Sequence, residues 1–165
     1  MNRLGIIADT HDHLINVRKA IDLFIQRKVV GVIHCGDVVA QFVLKEFSRL
    51  PVPLTLVFGN CDGDREALQQ MALTFGCRCY EGPATVELFG RRISVSHQPL
   101  ASVPACDFYL HGHTHRQRYE SGPPVIINPG EACGWLTGTA SVAILDIETG
   151  EVDFCEWRAG QAGEY

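Results

Sequence analysis

The 165 residues are 46% hydrophobic, 20% charged and 8% aromatic. An apolar share of that size excludes wholesale disorder, and at roughly 100–200 residues per domain the length predicts one domain over residues 1–165, too short for the ~250 residues of an eight-fold β/α barrel. The formal net charge of −5 and the isoelectric point near 5.8 argue against stable coating of nucleic acid.

The chain opens with the apolar run Leu4 to Ala8, which predicts a buried strand and is too short for a signal-peptide core. Leu14, Val17, Ile21, Phe24 and Ile25 then recur at helical spacing, with Asp12 near the helix start. Val29 to Ile33 predicts a second strand, and a helix carrying Val43, Phe47 and Leu50 ends at Pro51. Leu54 to Phe58 predicts a third strand. Asp64 can cap a helix that holds Ala67, Leu68, Met71, Ala72 and Phe75 and stops at Gly76. This β-α-β-α-β-α order predicts a parallel sheet.

Beyond Gly76 the pattern changes. Val86 and Leu88 alternate with polar residues, Phe89-Gly90-Arg91 turns, and Ile93 and Val95 alternate again, which predicts a hairpin. Asp107 to Leu110, Val125 to Ile127, Ser141 to Ile147 and Val152 to Trp157 predict further strands, the last pair a hairpin through Glu148-Thr149-Gly150. The expected fold class is α/β, with a parallel early part, a largely antiparallel late part, and two sheets packed together. No stretch approaches the ~20 apolar residues of a membrane span. The seven scattered cysteines show no Cys-x-x-Cys, so reduced thiols, a cytoplasmic location and no membrane partner are expected.

Each apolar run ends on a metal-competent side chain: Asp9, Asp37, Asn60, His97 and His113. Ligands of open α/β sheets bind beyond the carboxyl ends of the strands, so the early positions should converge on one rim. Asp9-Thr10-His11 and His113-Thr114-His115 are weak signals alone and ordinary as loops. Five motifs at successive strand ends are much harder to explain as turns. His97 shares strand parity with Ile93 and Val95 and should point inward, where a histidine needs partners. Two aspartates, one asparagine and four histidines suit Mn²⁺, Fe or Zn²⁺. Seven side chains are too many for one ion with an open position and about right for two ions sharing a bridging carboxylate, an arrangement suited to phosphoester hydrolysis.

In this order, Asp9-Thr10-His11, Gly36-Asp37, Gly59-Asn60, His97 and Gly112-His113-Thr114-His115 resemble the calcineurin-like metallophosphoesterase superfamily. Size and Gly59-Asn60-Cys61-Asp62 resemble its small single-domain phosphodiesterase branch. The resemblance implies two facing mixed β-sheets flanked by helices, a metallophosphoesterase-type αββα sandwich. It assigns Asp9, His11, Asp37 and His115 to one divalent metal ion, and Asn60, His97 and His113 to a second that Asp37 bridges. It marks Asp37, Asn60 and His97 as catalytic too, and implies that a bridging water or hydroxide attacks the phosphorus of a phosphoester substrate, foremost a diester. Mn²⁺ is the first expectation, with Zn²⁺, Ni²⁺ or Fe as alternatives; homo-oligomerisation stays open.

Two positions depart from the family. Cys61 stands where many members carry a histidine that protonates the leaving alkoxide. Glu131 follows Asn128-Pro129-Gly130, where a small residue is usual; near the site its charge would disfavour a dianionic monoester. Cys61, Arg65 and Arg116 are candidate substrate contacts, although a solvated role fits either arginine as well. His13 is expected to face solvent, with a substitute for the missing acid as the weaker alternative; His34 and His111 are expected to pack or to support the ligands from behind, Cys35 to pack, and Trp135, Phe154 and Trp157 to serve core or subunit surface.

Three rivals share parts of the pattern. Barrel-type hydrolases open on Asp-x-His-x-His, as residues 9–13 do, but do not account for Gly36-Asp37 or Gly59-Asn60. A metallo-β-lactamase motif is absent, because Arg116-Gln117 follows His115. The alternative from another class is a catalytically weak scaffold on the same fold, like the retromer subunit, whose metal site is eroded.

Overall fold

The structure is a computed structural model and describes residues 2–159. Strand β1 (Arg3–Ile7) shows how the layers are built. Successive side chains leave a strand on opposite faces, so Leu4 and Ile6 enter one core while Ile7 enters another. Strands β2 (Gly31–His34) and β3 (Leu54–Val57) are likewise buried along their whole length. Unbroken apolar runs are what a sheet covered on both faces demands.

Helices α1 (Leu14–Gln26), α2 (Gln41–Glu46) and α3 (Arg65–Leu73) connect these strands, with a 3₁₀ turn at Phe47–Arg49 after α2. Val17, Ala20, Ile21 and Phe24 form the buried stripe of α1. Full burial of one such side chain as large as Phe24 stabilises by roughly 1.5–3 kcal/mol. All three helices pack into the core that Ile7, Val32 and Leu56 enter. The α1 cap differs from expectation. His13 accepts the Asn16 N–H, while Asp12 accepts the N–H of Ala40 across the loop. Asp64 caps α3 as expected, through the Ala67 N–H.

Strand β4 (Arg78–Tyr80) extends the parallel run beside β3. Strands β5 (Ala84–Leu88) and β6 (Arg91–Ser96) form the expected hairpin. Then come β7 (Phe108–His111), β8 (Gln117–Glu120), β9 (Val125–Pro129), β10 (Thr139–Asp146) and β11 (Val152–Arg158). The first sheet runs β11-β10-β1-β2-β3-β4 and the second β5-β6-β7-β9-β8. Their facing sides share the core of Leu4, Ile6, Ile33, Ile93, Val95, Leu110 and Ile127.

The late half is largely antiparallel, as expected, through β5–β6, β8–β9 and β10–β11, but it contains one parallel run. β6, β7 and β9 pair in parallel, and β10 leaves the late strands to pair antiparallel with β1. Alternation of apolar residues reports which face is buried but not the direction of the neighbouring strand. No helix among the described residues is long and apolar enough to cross a membrane.

Candidate metal centre

Loops after β1, β2, β3, β6 and β7 meet at one rim, and all seven predicted ligands stand there. Asp9 N–H donates to the Gly36 carbonyl at 3.0 Å, and Thr10 and His11 N–H both donate to the Asp37 carbonyl at 3.0 and 3.1 Å. Asp62, almost fully buried, ties the next two loops together. Its carboxylate accepts from Asp37 N at 3.0 Å, Gly59 N at 2.7 Å and Val39 N at 2.7 Å.

Five of the seven stand in left-handed backbone: Asp9, His11, Asp37, His113 and His115, with φ of 52°, 37°, 61°, 67° and 59°. Non-glycine residues rarely adopt this region and persist there only where surroundings over-determine them. The loop bonds just described supply that constraint for Asp9, His11 and Asp37, and His113 is tied by its own N–H to the Asp9 carboxylate. Gly59 answers a different need: a Cβ there would strike the Asp37 carboxylate and come within 2.6 Å of the Asp37 nitrogen.

Hydrogen-bond partners fix where the lone pairs point. His97 Nδ1 lies 2.9 Å from the Cys35 carbonyl, which can only accept. In the neutral ring the proton therefore sits on Nδ1, and Nε2 offers its lone pair to the rim. That Nε2 lies 2.9 Å from Asn60 Oδ1, 3.3 Å from Asp37 Oδ2 and 3.2 Å from His113 Nδ1. His115 Nδ1 faces the Glu131 carboxylate at 2.7 Å, which leaves Nε2 aimed at Asp9 Oδ1, 3.5 Å away. His11 Nε2 lies 3.5 Å from Asp37 Oδ2 and 3.9 Å from Asp9 Oδ1. Asp9 Oδ1 and His11 Nε2 are buried without a hydrogen-bond partner, while Asp9 Oδ2 is taken by the His113 N–H at 3.0 Å.

Acceptors crowded this closely repel one another unless cations stand among them, so the donor set fits divalent metal ions. Asp37 Oδ2 stands between His11 Nε2 and His97 Nε2, and Asp9, Asp37 and His97 offer atoms all within 4.8 Å of one another. Protons compete for the same atoms. Burial raises the Asp9 carboxyl to about 7, against the pull of His115 and His97. Burial acts the same way on Asp37, but bonds from His97 and the Cys61 N–H outweigh it and hold that carboxyl far below its usual range. Glu131 is held down to about 2, because His115 and the Thr137 donors overcome its burial.

The sequence left several supporting residues unread. Glu131 is 1% exposed and accepts from Leu136 N and Thr137 N as well as facing His115. It stands behind the His115 ring and does not line the rim cavity. Trp135 belongs to neither core nor hairpin but stands 59% exposed at the rim, its indole N–H donating to the His11 carbonyl at 3.2 Å. His13, expected in solvent, is buried against that indole. His34 and Cys35 pack as expected, and each also serves the rim. His34 Nδ1 accepts the Gly36 N–H, its Nε2 meets Thr10 Oγ1, and Thr10 donates to the Asp37 carbonyl. His111 is buried among Gly112 and Asn128. Asp62 and Asn128 sit inside quoted motifs and Glu131 marks a departure from the family, but identity alone does not signal the contacts that any of them makes.

The candidate substrate contacts separate. Cys61 lines the rim cavity of about 690 Å³ together with His11, Asp37, Asn60, His113, His115, Trp135 and Leu136. Its thiol is pushed up to about 11 by burial and the Asp37 carboxylate. Arg65 borders a second cavity of about 360 Å³ that shares Asn60 with the first. Its guanidinium is engaged by the Gly59 and Asp62 carbonyls and by Glu81 at 3.0 Å. Arg116 lies beyond His115 in a third cavity, with Thr139 and Glu156.

Comparison with known proteins matches residues 2–150 to the model of the calcineurin-like phosphoesterase superfamily domain. A phosphodiesterase of Methanocaldococcus jannaschii is 39% identical over 158 residues, covering 90% of this chain and 95% of that protein. The solved structure of an archaeal phosphodiesterase superposes with a TM-score of 0.87 at 36% identity, covering 94% of this chain and 99% of the other. Vps29 of Chaetomium thermophilum superposes with a TM-score of 0.65 at 17% identity, covering 97% of this chain and all of the other, and at that identity shares the fold alone.

Proposed function

The chain belongs to the calcineurin-like phosphoesterase superfamily, and from that premise we propose that it is a metal-dependent phosphodiesterase with a two-ion centre in a single domain. Asp9, His11, Asp37 and His115 would hold one ion, and Asp37, Asn60, His97 and His113 the other, with Mn²⁺ first and Zn²⁺, Ni²⁺ or Fe as alternatives. One observation carries the reading: buried lone pairs of Asp9, His11, His97 and His115 converge while two of their atoms have no protein partner.

Bound divalent cations would supply Lewis acidity, lowering the pKa of water and neutralising charge on phosphoryl oxygens. The chain's own residues do the rest. Cys35 and Glu131 hold His97 and His115 in the ligating tautomer, and Asp62 fixes the two loops that present Asp37 and Asn60. In the reaction a water oxygen bonds to phosphorus, one ester P–O bond breaks, and the departing oxygen takes a proton to leave as an alcohol. Cys61, beside Asn60, is the side chain that would face the departing oxygen. A thiol is a weak acid for the task, so esters with good leaving groups are favoured.

Two cavities meeting at Asn60 give room for two ester substituents, and the M. jannaschii relative is a phosphodiesterase; both support a diester substrate. Seven free thiols support a reducing, cytoplasmic setting, and the net charge of −5 speaks against stable nucleic-acid binding.

The test is elemental analysis after loading with Mn²⁺, Zn²⁺ or Ni²⁺, combined with turnover of bis(p-nitrophenyl) phosphate. About two ions per chain and hydrolysis abolished by Asp37→Ala are expected. A metal-loaded protein inert to every phosphodiester and phosphomonoester tried would return the chain to the scaffold class.

A further inference from the structure

The rim cavity is polar on one wall and apolar on the other. Trp135 is 59% exposed and Leu136 75% exposed, and they stand side by side across from the candidate ligands. Isolated exposed apolar residues need no explanation, but two adjacent ones walling a cavity of about 690 Å³ mark a surface that gains by being covered.

The indole is held for that purpose. Its N–H is bound by the His11 carbonyl at 3.2 Å. One part of its surface rests on His13, with ring centroids 4.9 Å apart at 44°. His13 is itself fixed by capping α1, and Asn16 Nδ2 holds the Cys133 carbonyl at 3.0 Å. Glu131 accepts the N–H groups of Leu136 and Thr137 from the other side. The ring is therefore pre-set before any ligand arrives, so little ordering entropy remains to be lost on stacking.

We infer that Trp135, flanked by Leu136, is a binding subsite for a planar aromatic group, an aryl ring or a nucleobase, borne on the phosphoester that the metal centre holds. This rests on the phosphodiesterase reading for the position of the phosphoryl group. An apolar chain would be served by Leu136 and any aliphatic neighbour. An indole fixed on two sides with an open surface is suited to a ring, because stacking rewards flat partners.

The probes are phenylphosphonate, cyclohexylphosphonate and methylphosphonate, titrated into Mn²⁺-loaded protein and followed by indole fluorescence and by competition with bis(p-nitrophenyl) phosphate. Phenylphosphonate should bind about 5- to 100-fold more tightly than methylphosphonate and more tightly than cyclohexylphosphonate. Trp135→Ala should bring the phenyl-to-methyl ratio close to one, Trp135→Phe should retain part of it, and Leu136→Ala should lower it less. The fluorescence change should vanish in Trp135→Phe, which leaves Trp157 in place. A ratio unchanged in Trp135→Ala, or wild type that binds phenyl and methyl probes alike, overturns the subsite.

Thymidine 5′-monophosphate binding more tightly than phenylphosphonate, with the excess lost in Trp135→Ala, would assign the ring to a nucleobase; no excess would assign it to a simple aryl group. Turnover of the diester tests the phosphodiesterase reading separately. Aromatic binding as stated without turnover keeps the subsite and removes the activity.

Discussion

Behind His115 stands a carboxylate and behind His97 a backbone carbonyl, although both rings present Nε2 to the same rim. The Glu131 side chain gives the Asp9–His11–His115 half a buried negative charge that strengthens the ring as a donor. The Cys35 carbonyl offers the Asn60–His97–His113 half only a dipole. The first half should hold its ion more tightly and the second exchange more readily. A side chain can be replaced and a carbonyl cannot, so the first half is open to mutation and the second is fixed by the fold.

Damage to the atom the halves share should erase the difference between them. Gly59→Ala drives a Cβ into the Asp37 carboxylate, so both ions and all turnover should be lost, with about 1–3 kcal/mol of stability. Elemental analysis and thermal melts would show this; two bound ions in the variant would mean that the loop yields. Next in size, Glu131→Gln should weaken one metal-binding step about 10- to 100-fold and leave the other nearly unchanged. Calorimetric titration would resolve the steps, and equal weakening of both would remove the asymmetry. Glu131→Ser, assayed on a monoester and a diester, asks whether the charge also reaches the substrate through His115.

On the other half, Cys61→His should raise turnover of alkyl diesters about tenfold, less than the 10²–10⁴ of an optimised acid, and change p-nitrophenyl esters little. Parallel assays on the two substrate types would check the split. The smallest effect lies away from both halves. Arg18 bonds Glu46 at 2.8 Å and holds its carboxyl below the ordinary glutamate range. That contribution is present above the unfolded value and is lost as pH falls through the folded one. Arg18→Ala should therefore cost a few tenths of a kcal/mol at neutral pH and nothing below that range, as read from denaturant midpoints.

The ligands were legible because each follows an apolar run, and a strand end is a place that sequence marks well. Their supports were not, because Glu131, Asp62 and Asn128 act through geometry that only the folded loops create. Trp135 illustrates the same limit: an aromatic residue in sequence reads as core until its backbone places it on a rim. Two strands escaped for a simpler reason. β4 spans three residues, and β8, Gln117–Glu120, is exposed at every position, so neither carries an apolar period. Antiparallel pairing of β10 with β1 was equally hidden, since no local pattern reports a partner so distant in the chain.

That pairing sets a timetable for synthesis. Arg3 faces Asp146 and Ile6 faces Ala143, so β1 lacks one neighbour until the distant β10 has followed it out of the ribosome. Until then β1 offers an open edge flanked by buried isoleucines, the kind of surface that recruits other strands. Nascent chains ending before residue 139 should need a chaperone. The loop bearing Glu131 and Trp135 leads directly into β10, so metal centre and sheet would be completed in the same late event.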